Sequence, residues 1–209
     1  MNIFLIDKRP HECAKALCDL RLNKMILETA QLLCTSHRYH FPDRVEQFSD
    51  VIYKVTHENH PCSIWMRKHI NNHSWMLTYF EHLFMEKQYR TGKNHLSFVK
   101  LEQMLYDVKL GDPIGTLDYD SMNFDFNCSG IYPSTNNVFA DYKLCLLQKW
   151  IVDKREPKFS ARSQPDFITF DLAKAREVYL EHNSEFSRGL YKRHMLTSDP
   201  IWRQHAQAA

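Results

Sequence analysis

Five glycines in 209 residues leave little material for loops that cradle phosphates. There is no Gly-rich P-loop, no Gly-x-Ser-x-Gly elbow and no His-Glu-x-x-His pair. These absences argue against P-loop phosphoryl transfer, dinucleotide binding through a Rossmann turn, serine hydrolase chemistry and zincin chemistry. The six cysteines, at 13, 18, 34, 62, 128 and 145, form no Cys-x-x-Cys pair and follow no secretory signal, so they are expected to be reduced cytosolic thiols. Cys13, Cys18 and Cys34 fall at helical apolar positions and read as small hydrophobes. A zinc held by Cys62, His57, His60 and a further residue would match no finger spacing, so neither a metal nor another cofactor is expected. No apolar run approaches the length of a membrane span, and a cytoplasmic protein with no membrane partner is expected. The formal charge of +2 excludes a global electrostatic grip on nucleic acid. Contact with a polyanion must then come from local patches: Arg38, His40 and Arg44; Lys54, Arg67 and Lys68; or Lys154, Arg155, Lys158 and Arg162.

What is present is helical. The hydrophobic content of 44% and the length fit one domain with a real core. The expected fold is mainly α, a single compact helical domain with a long aromatic-containing loop and a short C-terminal helical extension. Residues 1–159 would form the core domain, and 160–209 an extension packed on it and ending in a basic tail. Asn2 to Asp7 is an apolar run that reads as a short buried strand or an extended segment threaded through the core. Pro10 opens a first helix expected to reach about His37. Asn59-His60-Pro61 opens a second, capped by Asn59 or His60, with Met66, Ile70, His73, Leu77, Phe80 and Phe84 at helical spacing through about Gln88. Further helices are expected over Ser97–Val108, Val138–Trp150 and from Asp171 to about Asn183. From Gly111 to Asn137 no helical period survives; its Tyr119, Phe124, Phe126 and Tyr132 suit a lid, a base-stacking surface or a plain cover for the core.

Two groups of residues carry the chemistry. Arg21, Lys24, Glu28 and Gln31 recur at intervals of three, four and three, which at ~100° per residue places them within an arc of about 80°. The opposite side of that helix, Leu22, Met25, Ile26, Ala30 and Leu33, is the packing face. The stripe reads either as a solvated face with a Lys24–Glu28 ion pair or as a site. The second group is Tyr53-Lys54-Val55-Thr56-His57-Glu58-Asn59-His60-Pro61, dense in imidazoles and polar donors. Eight of the twelve histidines lie in the first 82 residues, which favours an N-terminal site. Lys24, Glu28, His57 and His60 could supply amine, acid and base chemistry, with Arg21 and Lys54 as anion holders. A cleft shared by the two groups is expected.

Several pieces together resemble a phage and bacterial family labelled as pyrimidine-dimer DNA glycosylase of the endonuclease V type. They are Met1 to Asp7, Cys18-Asp19, Lys24 to Leu33, Tyr53 to His57, Asn59-His60-Pro61 with Trp65, and Trp150 with Arg155-Glu156-Pro157. The resemblance covers roughly residues 1–159. It implies an N-terminus at the active centre, a catalytic glutamate on the first helix and an N-terminal amine that attacks the sugar C1′ to form an imine; here Met1 would offer that amine and Glu28 the carboxylate. The resulting expectation is a DNA-acting enzyme on pyrimidine bases, glycosylase/AP-lyase-like, in the cytoplasm of the host cell if phage-encoded. Lys24, Glu28, His60 and Met1 would be its catalytic residues. Arg21, Gln31, Tyr53, Lys54, His57, Asn59 and Trp65 would bind substrate, with Tyr53, His57, Asn59, His60 and Trp65 as pocket walls for a flipped pyrimidine. The alternatives are a transferase of phage pyrimidine hypermodification and a non-catalytic DNA- or host-protein-binding phage protein.

Overall fold

Helices dominate because the apolar residues of the chain recur at 3.6-residue spacing, and in the computed structural model many of them are buried against one another. The structure describes residues 2–111 and 117–183, with side chains left aside at 105–111 and 181–183. Met1 and the basic tail beyond Arg188 therefore lie outside the described residues. The elements in chain order are α1 (Pro10–Lys15), α2 (Asp19–His40), α3 (Pro61–Lys68), α4 (Ile70–Thr91), α5 (Leu96–Gly111), α6 (Val138–Val152) and α7 (Leu172–Asn183), with two short 3₁₀ turns after α2. No strand occurs among the described residues. The fold is mainly α, with α4 packed against α1, α2 and α3.

The N-terminal run is the threaded segment, not a strand. Ile3, Phe4, Leu5 and Ile6 are all buried. Two aromatic side chains of α4 hold its backbone: the Tyr79 hydroxyl donates to the Ile3 carbonyl (2.8 Å) and the Trp75 indole N–H to that of Lys8 (2.7 Å). These bonds supply partners for backbone groups that would otherwise be orphaned in the core.

The first expected helix is broken into α1 and α2 at residues 16–18. Arg90, buried on α4, fills the break. Its guanidinium donates to the carbonyls of Lys15 (2.8 Å) and Leu17 (2.7 Å) and to Asp19 Oδ1 (3.0 Å). Glu86, one turn earlier, accepts from Arg90 Nε (2.8 Å) and takes a two-pronged bond from Arg162 (2.9 and 2.8 Å). A guanidinium has five donors and suits several carbonyls at once. The second expected helix breaks as well, at His69, whose backbone is extended and whose Nδ1 caps α4 by accepting from the Asn71 amide. The Asn72 side chain takes up the Trp65 carbonyl (2.7 Å) near the end of α3. Gly92 then closes α4 in the left-handed conformation, φ 64°.

Beyond α5, Phe124 and Phe126 pack on Trp65 with ring centroids 5.4 and 5.0 Å away. The stretch 127–135 is pinned by Asp141, buried in the first turn of α6, which accepts from Asn127 Nδ2 (2.7 Å) and the Thr135 amide (2.9 Å). At the far end of α6 the buried Arg176 of α7 donates to the carbonyls of Trp150, Ile151 and Asp153, satisfying the last turn.

Candidate active site

The face of α2 opposite the polar stripe is core: Leu22, Met25, Ile26, Ala30 and Leu33 are all buried. That packing orients the stripe outward, and its members have different fates. Lys24 Nζ lies 3.2 Å from Glu28 Oε1; the lysine side chain is 59% exposed and the carboxylate only 15%. Arg21 is drawn inward to pair with Asp153 after α6. Gln31 is half-buried.

Glu28 is held from its other side by the N-terminal segment. The Asn2 backbone N–H donates to Glu28 Oε2 (3.3 Å). The Asn2 side chain turns to the opposite direction, its Nδ2 donating to the Cys128 carbonyl (3.1 Å) and its Oδ1 accepting from the Phe4 amide (3.2 Å). Asn2 thus joins the α2 stripe to the loop before α6. Cys128 is placed there by its own amide, which donates to the buried Tyr142 hydroxyl (2.9 Å).

Across from Cys128 stand Cys62 and His60, at the start of α3. His60 is the cap: its Nδ1 accepts from the Cys62 amide (3.3 Å), and Pro61 occupies the position whose missing N–H leaves nothing unpaired. The Cys62 thiol donates to Cys128 Sγ (3.9 Å). That bond holds the Cys128 thiol below its usual range, to about 7, against the opposing effect of burial. The same bond, with burial second, pushes the Cys62 thiol well up. Contacts therefore run from Lys24 through Glu28 and Asn2 to Cys128, Cys62 and His60.

The remaining predicted residues lie apart from this line or inside the core. Trp65 is 1% exposed, donates its indole N–H to the Asn123 carbonyl (2.8 Å) and is walled in by Phe124, Phe126 and Trp75. It has no open face for a base, so its place as a pocket wall is corrected to one in the core. Tyr53 donates to Ser97 Oγ (3.1 Å) and lies under Lys100 Nζ (4.5 Å), which makes it a tie between the loop and α5. Lys54, His57 and Asn59 are exposed, and the His57 and His60 ring centroids are 6.5 Å apart. A cleft of about 320 Å³ does exist beside the start of α4, lined by Lys68, His69, Asn72, Ser121, Asn123 and Asp125. None of the two expected groups lines it. In the sequence Cys62 suggests no more than a zinc ligand without finger spacing, and Asn2, Cys128 and Tyr142 carry no spacing signal that would join them to Glu28.

Most of the basic candidates are engaged within the protein. Arg38 donates to the carbonyls of Cys34 and Tyr53, Arg67 to Glu58, Lys68 to Asp125 and Arg162 to Glu86. Lys154, Arg155 and Lys158 are exposed. The Arg21–Asp153 pair and the Asp19 amide, which donates to the Lys158 carbonyl (2.8 Å), bring that segment to the N-terminal half of α2, the half that carries Lys24. No described helix is long and apolar enough to cross a membrane. No family model, curated protein or solved structure matches the chain.

Proposed function

We propose that this protein acts on pyrimidine bases in DNA with glycosylase/AP-lyase-like chemistry, Lys24 supplying the amine and Glu28 the carboxylate. The observation that carries this reading is the asymmetry of the pair: an open amine 3.2 Å from a shielded carboxylate that the Asn2 amide holds in place. In the reaction, the ammonium gives a proton to Glu28 and the neutral amine adds to the sugar C1′. The C1′–N bond breaks with its electron pair going to the departing base, which takes up a proton. At an existing abasic site the same amine adds to the C1′ aldehyde and loss of water leaves an imine; removal of a C2′ proton then expels the 3′ phosphate, which breaks the strand. A carboxylate one helical turn from the amine suits both proton transfers, general acid–base help being worth about 10²–10⁴-fold. Lys154, Arg155 and Lys158 would hold the phosphates beside the reacting sugar.

Cleavage of an abasic-site duplex tests the reading. Wild-type protein nicks the strand at that site, and Lys24→Ala loses at least about 10²-fold of the rate. Equal rates for the two proteins, or no cleavage of abasic and dimer-containing duplexes by wild type, overturn it.

A further inference from the structure

His60 and Cys62 open α3, and Cys128 reaches them from a loop 66 residues further along the chain. One potential ligand atom of each residue lies within 4.8 Å of those of the other two. The two sulfurs are 3.9 Å apart. Two thiolates bound at about 2.3 Å to one tetrahedral ion stand about 3.8 Å apart, so this edge is already at the length that an ion would impose. An imidazole nitrogen in the same tetrahedron would lie about 3.6 Å from each sulfur, and here a ring nitrogen of His60 is within 4.8 Å of both. Coordination through Nδ1 would exchange the 3.3 Å cap bond to the Cys62 amide, and coordination through Nε2 would keep it.

We infer that His60, Cys62 and Cys128 form a binding site for a thiophilic divalent cation of the Zn²⁺ class, with the fourth position open to solvent or substrate. Two sulfurs and an imidazole are the donor set that such ions favour over hard cations, which take oxygen. The ligands are positioned independently of any ion. Pro61 and the helix start fix His60 and Cys62, while Tyr142 holds the Cys128 amide and Asn2 its carbonyl. Cys62 is fully buried, and Cys128 and His60 are half-buried, so the open side is theirs. A disulfide between the same cysteines would give the imidazole no role. Binding replaces two thiol protons, released to solvent, with two metal–sulfur bonds. Among the described residues, Asn2 links this site to the Lys24–Glu28 pair.

The test is Co²⁺ titration of the reduced, full-length protein, followed by Zn²⁺ displacement. The expected result is one Co²⁺ per chain with thiolate-to-cobalt charge-transfer absorption that Zn²⁺ abolishes. Cys128→Ser and His60→Gln each lower the affinity at least about tenfold while the far-ultraviolet dichroism stays as in wild type. Cys62→Ser gives the same loss if it folds, and Cys128→Ser, at a half-exposed position, carries the test if it does not. Absence of the charge-transfer band, affinity unchanged in Cys128→Ser, or a Cys62–Cys128 disulfide that forms in the presence of Zn²⁺ overturns the inference.

Discussion

Lys24 and Glu28 differ in how much solvent they see, and that difference sets what each substitution does. Lys24→Ala removes one exposed partner of an i,i+4 pair worth about 0.2–0.5 kcal/mol and leaves the buried face of α2 intact. Its thermal midpoint should stay close to that of wild type while activity is lost; a large drop in the midpoint would make the pair structural. Glu28→Gln retains an oxygen for the Asn2 amide but no charge, and the expected outcome is a folded protein slowed by about 10²-fold in a strand-cleavage assay. His73 governs a different property. It is buried beside His40 and His37 and hydrogen-bonds Ser36 Oγ (3.0 Å). Burial first, then the charges of His40 and His37, brings its imidazole down to about 3. Because the unfolded chain binds this proton near pH 6.5 and the folded one does not, stability is full above 6.5 and falls as pH drops toward 3. The loss from this residue should reach about 2 kcal/mol by pH 5, read as a lower urea midpoint, and His73→Gln should flatten that slope.

At the level of elements, the two helix breaks show what periodicity conveys and what it leaves out. The apolar faces of α2 and α4, the His60-Pro61 start of α3 and the Asp171 start of α7 are all legible, because each rests on residues near one another in sequence. The break at 16–18 is not, since the 3.6-residue pattern continues through it and the carbonyls left over are taken by Arg90, more than 70 residues away. Glu86 is the hinge of that arrangement, pairing Arg90 and Arg162 together. Burial alone would push its carboxyl up; the hydrogen bonds from Arg162 and Arg90 outweigh burial and hold it below the ordinary range. Glu86→Gln should therefore destabilise by about 1–3 kcal/mol, since it removes the carboxylate that joins Arg90 to Arg162 while Asp19 still pairs with Arg90. Equilibrium urea unfolding checks this, and a change under about 1 kcal/mol would contradict the central place given to the network.

Across the whole molecule, the segment with the exposed cations is tied to the half of α2 that carries Lys24. The net charge of +2 conceals that many basic side chains are tied up internally, whereas Lys154, Arg155 and Lys158 stay exposed on the segment that Asp153 and Asp19 fasten to α2. The double variant Lys154→Glu, Arg155→Glu should weaken binding to duplex DNA of any sequence and lower the salt slope by about 2, as expected for two lost phosphate contacts. Fluorescence anisotropy across a salt series reads both, and unchanged affinity would place the DNA elsewhere. The site itself was only half legible. Lys24 and Glu28 are one turn apart and visible from spacing, but Asn2 and Cys128 join them through tertiary contacts to which no periodicity points, and Trp65 reads as a pocket wall until its burial is known. The most direct measurement of the account is borohydride reduction of the protein on an abasic-site duplex, followed by peptide mapping of the adduct. The account predicts a covalent adduct on the Lys24 side chain, absent from Lys24→Ala; an adduct on any other amine, or none at all, would contradict it.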